Sequence, residues 1–130
     1  MSRLPSLPAL KRKCWKLVSE YVRRKDAANG IATCYTCGYM GRWQDLQAGH
    51  FVPGRSGAVL LNLEAIRVQC PRCNIWKSGN YQVFTLRMLD EVGRAKVDEL
   101  LALRYTAKKW SRSELEALQA DLTAKLKEIE

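Results

Sequence analysis

The sequence lacks any long apolar segment, and this absence limits where the protein can work. No stretch reaches the roughly 18 apolar residues that a membrane-spanning helix needs, so a transmembrane span is not expected. The N-terminus also lacks the apolar stretch of a secretory signal, and we therefore expect a cytoplasmic protein without a membrane partner. In a reducing compartment, five cysteines indicate metal binding or catalysis rather than disulfides.

Acidic residues are scarce in the first part of the chain, where basic residues are abundant. Residues 1–82 contain thirteen basic and four acidic residues, whereas residues 83–130 contain nine of each sign. The formal net charge of +9 therefore lies in the first part. A polyanion, most simply nucleic acid, is the natural partner of such a surface, although a solvated basic face would have the same composition.

Hydrophobic periodicity divides the chain into three regions, which we expect to form one compact domain. Residues 1–30 predict a basic helix from Ser6, its N-cap, to Lys25. Residues 31–82 predict short strands at 31–33, 47–52 and 65–68, with too little apolar content to fold by burial alone.

Residues 83–130, with the residues just before them, predict a helical region. Helices are expected at about 81–92 and 94–106, and Ser113 with Glu116 matches a capping box that opens a last helix. That helix carries an apolar stripe of Leu115, Leu118, Leu122, Leu126 and Ile129. The stripe either packs on the same domain or forms a short coiled-coil seam in a homodimer.

The cysteine spacing is the strongest chemical signal. Cys34 and Cys37 form one CxxC pair, Cys70 and Cys73 form another, and 32 residues separate the two. Four thiolates from two such knuckles satisfy tetrahedral zinc and leave no open position, so the spacing predicts one structural Zn²⁺. Two disulfides, an iron–sulfur cluster and reduced thiols are the alternatives. Cys14 lies outside the pattern and is interpreted as a core residue.

His50 is the only histidine, and it lies between the two knuckles, while Asn74 follows the last cysteine. This order is the layout of a ββα-metal (HNH) nuclease site. Such a site needs a neutral imidazole that takes a proton from water, and a divalent cation at the scissile phosphate. The pattern predicts these roles for His50 and for a ligand near Asn74.

The sequence also resembles a known family through a set of motifs. These are Ser19–Asp26 (SEYVRRKD), Cys34–Gly38 (CYTCG), Leu46–Phe51 (LQAGHF), Gln69–Asn74 (QCPRCN) and Ser78–Tyr81 (SGNY). In order and approximate spacing they resemble the NinG/Rap family of lambdoid-phage recombination endonucleases.

The resemblance implies an α+β fold with a small zinc-stabilised HNH-like core, an N-terminal helix and a helical C-terminal region. It implies a phage- or prophage-encoded endonuclease that uses Mg²⁺ or Mn²⁺ near DNA branches such as Holliday junctions and D-loops. A host or phage recombinase is an expected partner.

The family's site residues carry over incompletely. Ala65 stands where the family usually has an asparagine, so Asn62 is the nearest candidate for an orienting role. Gly49 stands where many HNH sites have a metal-binding Asp or His. Gln47 and Asn74 then remain as neutral ligands, helped by Asn62 or Glu64. Alternatively, His50 itself binds the metal and another group activates water.

Several further residues are candidates for support or for contact with DNA. Asn80 either caps the helix that begins near Tyr81 or supports the site. Six basic residues are the candidate phosphate contacts: Arg23, Arg24, Lys25, Arg55, Arg72 and Lys77. Of the four tryptophans, Trp76 is the better exposed candidate for stacking on bases, whereas Trp15 and Trp110 are expected in the core.

The sequence also permits two functions other than an enzyme. One is a non-catalytic zinc module that binds DNA or RNA, which the substitutions at Gly49 and Ala65 would suit. The other is a zinc-built adaptor for another protein, which would leave the basic bias unexplained.

Overall fold

The computed structural model describes residues 4–54 and 56–129, which form a mixed α+β fold. The helices are α1 (Leu7–Arg24), α2 (Gly57–Leu60), α3 (Tyr81–Val92), α4 (Arg94–Ala102) and α5 (Arg112–Ile129). The strands are β1 (Ile31–Thr33), β2 (Met40–Arg42), β3 (Gln47–His50) and β4 (Ile66–Gln69). One turn of π-helix at Arg72–Trp76, here named the π-turn, leads into α3. None of the described helices is both long and apolar enough to cross a membrane.

The helix α1 begins and ends close to its predicted bounds. The Ser6 hydroxyl accepts a hydrogen bond from the Ala9 amide at 3.2 Å, as expected of an N-cap. The buried stripe consists of residues that are each at most 2% exposed, namely Leu10, Cys14, Val18 and Val22.

This stripe packs against the leucines of α5. Leu115 and Leu122 are fully buried there, and Leu126 is nearly so. The Cys14 thiol donates a hydrogen bond to the Leu115 carbonyl at 3.3 Å. The apolar stripe of the last helix therefore packs on α1 of the same chain. The buried leucines are not exposed for a coiled-coil contact with a second copy.

The cap of α5 differs from the prediction. Ser111 and Glu114, rather than Ser113 and Glu116, form the capping box, with reciprocal hydrogen bonds of 3.0 and 3.2 Å. The sequence offers the same pattern twice, two residues apart. The indole of Trp110 donates a hydrogen bond to the Gly57 carbonyl at 2.8 Å. This contact holds the residue just before Ser111 and so favours the first of the two capping boxes.

Two antiparallel hairpins make up the β-structure. In the first, β1 pairs with β2, which was not predicted because Met40–Arg42 is short and has exposed ends. In the second, Gln47 lies opposite Gln69 and His50 lies opposite Ile66. The strand β3 ends at His50, two residues before its predicted end, because Phe51 and Val52 turn into a separate apolar cluster.

That second cluster fixes the chain immediately after His50. Phe51 and Val52 are buried against Phe84 and Met88 of α3 and Val97 of α4. The two helices therefore hold the segment that leaves β3, and with it the position of the histidine. A third, smaller cluster surrounds the buried cysteines.

Candidate functional site

The four cysteines of the two CxxC pairs lie together. Their sulfur atoms are all within 4.8 Å of one another, and the Sγ atoms of Cys37 and Cys70 are 3.6 Å apart. A tetrahedral zinc with Zn–S bonds of about 2.3 Å would separate its sulfurs by about 3.8 Å. The donor set and its spacing therefore fit a structural zinc ion that these cysteines could bind.

Polar neighbours favour the thiolate of Cys34, whereas burial raises the pKa of Cys37 and Cys70 in the absence of a metal. Burial opposes ionisation of Cys34, but hydrogen bonds from the Thr36 hydroxyl and from nearby backbone amides outweigh it and lower its pKa to about 6. The Asn80 side-chain amide donates to the Cys73 sulfur at 3.6 Å. Asn80 occupies the N-cap position of α3, yet its side chain makes no capping hydrogen bond. The Asn80 side chain therefore contacts the cysteine cluster and does not cap α3.

His50 is held at the end of β3 by two contacts. Its Nε2 atom lies 3.0 Å from the Leu60 carbonyl oxygen. Because a carbonyl can only accept a hydrogen bond, Nε2 must carry the proton, and Nδ1 of the neutral ring keeps a free lone pair. The indole of Trp15 stacks on the imidazole at a centroid distance of 5.0 Å. Trp15 therefore lies at the site and is only partly in the core.

A cleft of about 440 Å³ opens beside His50. Its walls come from α1, the β3–β4 hairpin, the α2 region and the π-turn: Lys11, Arg12, Trp15, Ala48, His50, Gly54, Leu60 and Asn74. A neighbouring depression of about 320 Å³ shares His50, Gly54 and Asn74 and extends to Ser78 and Tyr81. Lys11 and Arg12 form no ion pair with any carboxylate of the described residues, so the charge of the cleft is positive.

Asn74 and Gln47 meet at the edge of this cleft. The Asn74 side-chain amide donates to Gln47 Oε1 at 2.8 Å, while its backbone amide donates to the Cys70 carbonyl at 2.9 Å. The Gln47 side-chain oxygen already accepts this hydrogen bond. The Asn74 side-chain oxygen accepts no hydrogen bond from the described residues and remains available to a ligand.

The structure places the other two candidate ligands elsewhere. The Asn62 side-chain oxygen accepts a hydrogen bond from the Glu64 amide at 3.0 Å and caps a short 3₁₀ turn. The Glu64 carboxylate pairs with Lys96. Neither side chain lines the cleft, and the atom that contacts the His50 ring is the Leu60 carbonyl oxygen, not the Asn62 side chain.

Gly49 is explained by its neighbour Gln69. A Cβ atom at Gly49 would overlap the Gln69 side-chain oxygen and lie 2.7 Å from its Cδ. The Gln69 amide donates to the Thr36 hydroxyl at 3.1 Å and to the Gly79 carbonyl at 2.9 Å. Gln69 therefore ties the first knuckle to the turn before α3, and a metal-binding side chain at position 49 has no room.

Residues 4–130 match the family model described as bacteriophage lambda NinG protein. The chain belongs to the NinG family. Its relatives include "Protein ninG" of Escherichia phage lambda and "Protein ninG" of Salmonella phage P22, each 26% identical over 121 residues that form 91% of this chain. Those residues span 56% of each relative, so the chain covers just over half the length of the curated relatives it matches. No solved structure matches at a significant level.

The predicted phosphate contacts of this NinG-family chain fall into different places. The guanidinium groups of Arg23 and Arg24 each lie 5.2 Å from the centroid of the Trp43 ring, away from the cleft. Lys25 is exposed and lines a different depression. Arg72 and Lys77 are exposed at the two ends of the π-turn. Arg55 lies outside the described residues.

Sequence reasoning missed three residues that line the cleft of this NinG-family chain: Lys11, Arg12 and Trp15. The four-residue interval from Lys11 to Trp15 places them on one face of α1, which was a usable signal. Nothing in the sequence, however, indicates that this face meets the end of β3. Gln69 belongs to the QCPRCN motif, but no sequence signal indicates its packing on Gly49.

Proposed function

We propose that this NinG-family chain is a structure-selective DNA endonuclease that hydrolyses phosphodiester bonds near branches, such as Holliday junctions and D-loops, in phage recombination. The observation that carries the proposal is His50, whose ring is fixed with Nδ1 free beside a cleft lined by Lys11, Arg12 and Asn74. A base, two cations and an amide oxygen around one cleft suit the hydrolysis of a phosphodiester.

In this proposal the β3–β4 hairpin and the π-turn are the ββα-metal (HNH) core. The strand β3 supplies His50 at its end, and the π-turn supplies Asn74. Cys70 and Cys73 lie directly before Asn74, so a zinc ion in the cysteine cluster would fix that turn and take no part in the chemistry.

His50 acts as general base in the proposed reaction. Nδ1 takes a proton from water, and the water oxygen attacks phosphorus opposite the leaving deoxyribose oxygen. The bond between phosphorus and that oxygen breaks, and the leaving oxygen takes a proton from solvent water. The Leu60 carbonyl then faces the N–H of an imidazolium, and this charge-assisted hydrogen bond stabilises the protonated ring. Lys11 and Arg12 are placed to offset the charge that builds up on the phosphate oxygens.

Among the described residues that line this cleft, Asn74 has the one free side-chain oxygen for a divalent cation, and Nδ1 of His50 is the other donor if the histidine binds the metal instead of activating water. The described residues that line the cleft include no carboxylate, so phosphate and water would complete the coordination of Mg²⁺ or Mn²⁺. When bound, such an ion supplies charge stabilisation at the scissile phosphate. With neutral ligands only, we expect weak binding of the ion before DNA arrives.

The second candidate function is a non-catalytic zinc module that binds nucleic acid. The same lack of a carboxylate in the described cleft favours it, because nuclease sites usually hold their cation with at least one. Like the endonuclease, this module would use the cysteine cluster and the basic residues. The two functions differ only in that His50 has no chemical role in the module.

Cleavage of labelled DNA separates these two functions. The wild type and His50→Ala are compared on a four-way junction, a D-loop and a linear duplex, without metal, with Mg²⁺ and with Mn²⁺. We expect metal-dependent cuts near the branch that disappear in the variant while zinc content and fold are kept. A folded, zinc-loaded wild type that cuts none of these substrates would overturn the endonuclease proposal.

A matched pair of variants tests the cationic wall. Lys11→Ala/Arg12→Ala removes two cleft charges, whereas Lys13→Ala/Lys16→Ala removes two exposed charges of the same helix outside the cleft. We expect the first pair to reduce cleavage strongly and to lower the salt-dependence slope of DNA binding by roughly two. Equal effects of both pairs would indicate general attraction of DNA and no specific phosphate contact.

A further inference from the structure

An exposed aromatic side chain lies two residues after Asn74, which lines the cleft. Trp76 is 82% exposed and its neighbour Ile75 is 56% exposed. Both belong to the π-turn, the segment that also carries Asn74. Together they present adjacent apolar surface that a ligand could cover.

The backbone holds Trp76 firmly in this exposed position. The Lys77 amide donates to the Arg72 carbonyl at 2.9 Å, and the Gly79 amide donates to the Cys73 carbonyl at 2.9 Å. Ser78 and Asn80 then adopt left-handed conformations with φ of 49° and 50°. Such conformations persist in residues other than glycine only where the surroundings enforce them, and they are frequent at functional sites.

Trp76 is close to the proposed reacting phosphate. It follows Asn74 by two residues, so their Cα atoms are at most about 7.6 Å apart. That span corresponds to roughly two nucleotides of a stacked strand. Ser78 and Tyr81, which follow Trp76, line the depression next to the cleft. Trp76 is therefore within about two nucleotides of Asn74, and we expect a strand whose phosphate lies at His50 to reach it.

The charge around Trp76 suits DNA. Arg72 and Lys77 are exposed on either side of it, and neither pairs with a carboxylate of the described chain. The sequence from 65 to 89 contains no acidic residue. Cations beside a free aromatic face are the features with which proteins hold single-stranded nucleic acid.

The other tryptophans have ring faces that are already in use. Trp15 stacks on His50, Trp43 is covered by Arg23 and Arg24, and the Lys108 ammonium lies 4.7 Å from the centre of the Trp110 ring. Tyr105 is equally exposed at 83%, but its own neighbour Arg104 lies over its ring. Trp76 makes no comparable contact with the described residues.

We propose that Trp76 is a stacking platform for an unpaired base close to the scissile phosphate, with Arg72 and Lys77 on the flanking phosphates. The ligand is single-stranded DNA of the kind that a branch exposes. This inference rests on the proposed endonuclease function and deepens it, because it names the feature by which a branch is distinguished from a paired duplex.

The test measures binding without cleavage. Affinities for an oligothymidine strand, a forked duplex and a fully paired duplex are measured without added Mg²⁺ or Mn²⁺ for the wild type, Trp76→Ala, Trp76→Phe and Tyr105→Ala. We expect Trp76→Ala to weaken strand and fork binding roughly 5- to 150-fold and to leave duplex binding unchanged. Trp76→Phe should retain most of the affinity, and Tyr105→Ala should match the wild type.

Fluorescence gives a second readout that does not depend on the alanine variant being folded. The difference in emission between the wild type and Trp76→Phe reports on Trp76, and a strand that stacks on the indole should quench it. Unquenched emission on strand binding, or equal losses on fork and duplex, would overturn the stacking role. The stacking role would also be overturned if Trp76→Ala bound DNA as the wild type does but no longer bound a protein partner.

Failure of the stacking inference can be distinguished from failure of the endonuclease proposal. If the wild type binds forks through Trp76 but cuts no substrate, the stacking inference stands and the catalytic proposal fails. If it cuts branched DNA while Trp76→Ala shows the same fork preference, the catalytic proposal stands and the stacking inference fails.

Discussion

The indole of Trp15 stacks on the imidazole of His50, with the ring centroids 5.0 Å apart and the ring planes inclined by 17°. Trp15 belongs to α1 and His50 ends β3, so this contact joins the basic helix to the proposed general base. The Leu60 carbonyl holds the same ring from its Nε2 edge. The two contacts together leave the imidazole few other orientations, which is the preorganisation that proton transfer requires.

Trp15→Ala should therefore impair the chemical step more than DNA binding. Removal of the indole lets the imidazole turn, and we expect the single-turnover cleavage rate to fall by up to about 100-fold. Trp15→Phe keeps an aromatic face and should restore most of the rate. The measurement is single-turnover cleavage together with DNA affinity and zinc content. Wild-type cleavage by a folded Trp15→Ala would show that the stack does not position His50.

Loss of the metal should loosen the two knuckles. Phe51, Val52 and Ile66 pack into the two larger apolar clusters, but the knuckles themselves have only the small cluster around the cysteines, so a bound zinc would provide much of their stability. We expect Cys70→Ser to lower bound zinc well below one equivalent and to lower the temperature of the thermal transition. Cys14→Ala is the control, since Cys14 is buried between α1 and α5 and should keep full zinc content. Full zinc in Cys70→Ser would contradict a four-cysteine site.

Local signals predicted much of the fold from the sequence. The capping and periodicity of α1 gave its bounds within a residue, and α3 runs from Tyr81 to Val92 as predicted. Each CxxC pair has a local spacing that directs two sulfurs to one metal, and the need of zinc for four ligands predicted that the two pairs meet although 32 residues separate them. The helix bounds depend on contacts between near neighbours in the chain.

Features that depend on pairing or packing with another element were not predicted. The strand β2 is three residues long without apolar and polar alternation, and it exists because β1 pairs with it. Lys11 and Arg12 were counted only as charge, since their place in the cleft depends on how α1 crosses β3. Asn62 was chosen for its position in the chain, whereas the structure uses the backbone oxygen of Leu60.

The packing of Gln69 on Gly49 predicts a coupled pair of substitutions. Gly49→Ala places a methyl group where the Gln69 side chain lies, and we expect it to lower the free energy of unfolding by about 1–3 kcal/mol. In a Gln69→Ala background the clash is gone, so the same change should cost little. A double-mutant cycle by denaturant unfolding measures this coupling. Additive effects of the two substitutions would show that Gly49 is required for another reason.

Tyr35, Arg67 and Glu91 form a hydrogen-bonded group that should make stability depend on pH. Arg67 Nε and Nη2 each donate to the Glu91 carboxylate at 3.2 Å, and the Tyr35 hydroxyl donates at 2.6 Å. Partial burial of Glu91 opposes its ionisation, but these donors and the charge of Arg67 outweigh it and lower its pKa below the usual range. The ionised carboxylate is therefore favoured in the native state.

The sign of the pH effect follows from that lowered pKa. The stabilisation from Glu91 is fully present above its unfolded-state pKa of about 4.3 and is lost as the pH falls through the lower folded-state value. Glu91→Gln should therefore flatten the loss of unfolding free energy on the acid side, as measured by urea unfolding over a series of pH values. Glu116→Gln is the matched control, because Glu116 is exposed and has no ion pair in the described structure. If both variants lose stability in acid as steeply as the wild type, Glu91 is not the group that is protonated.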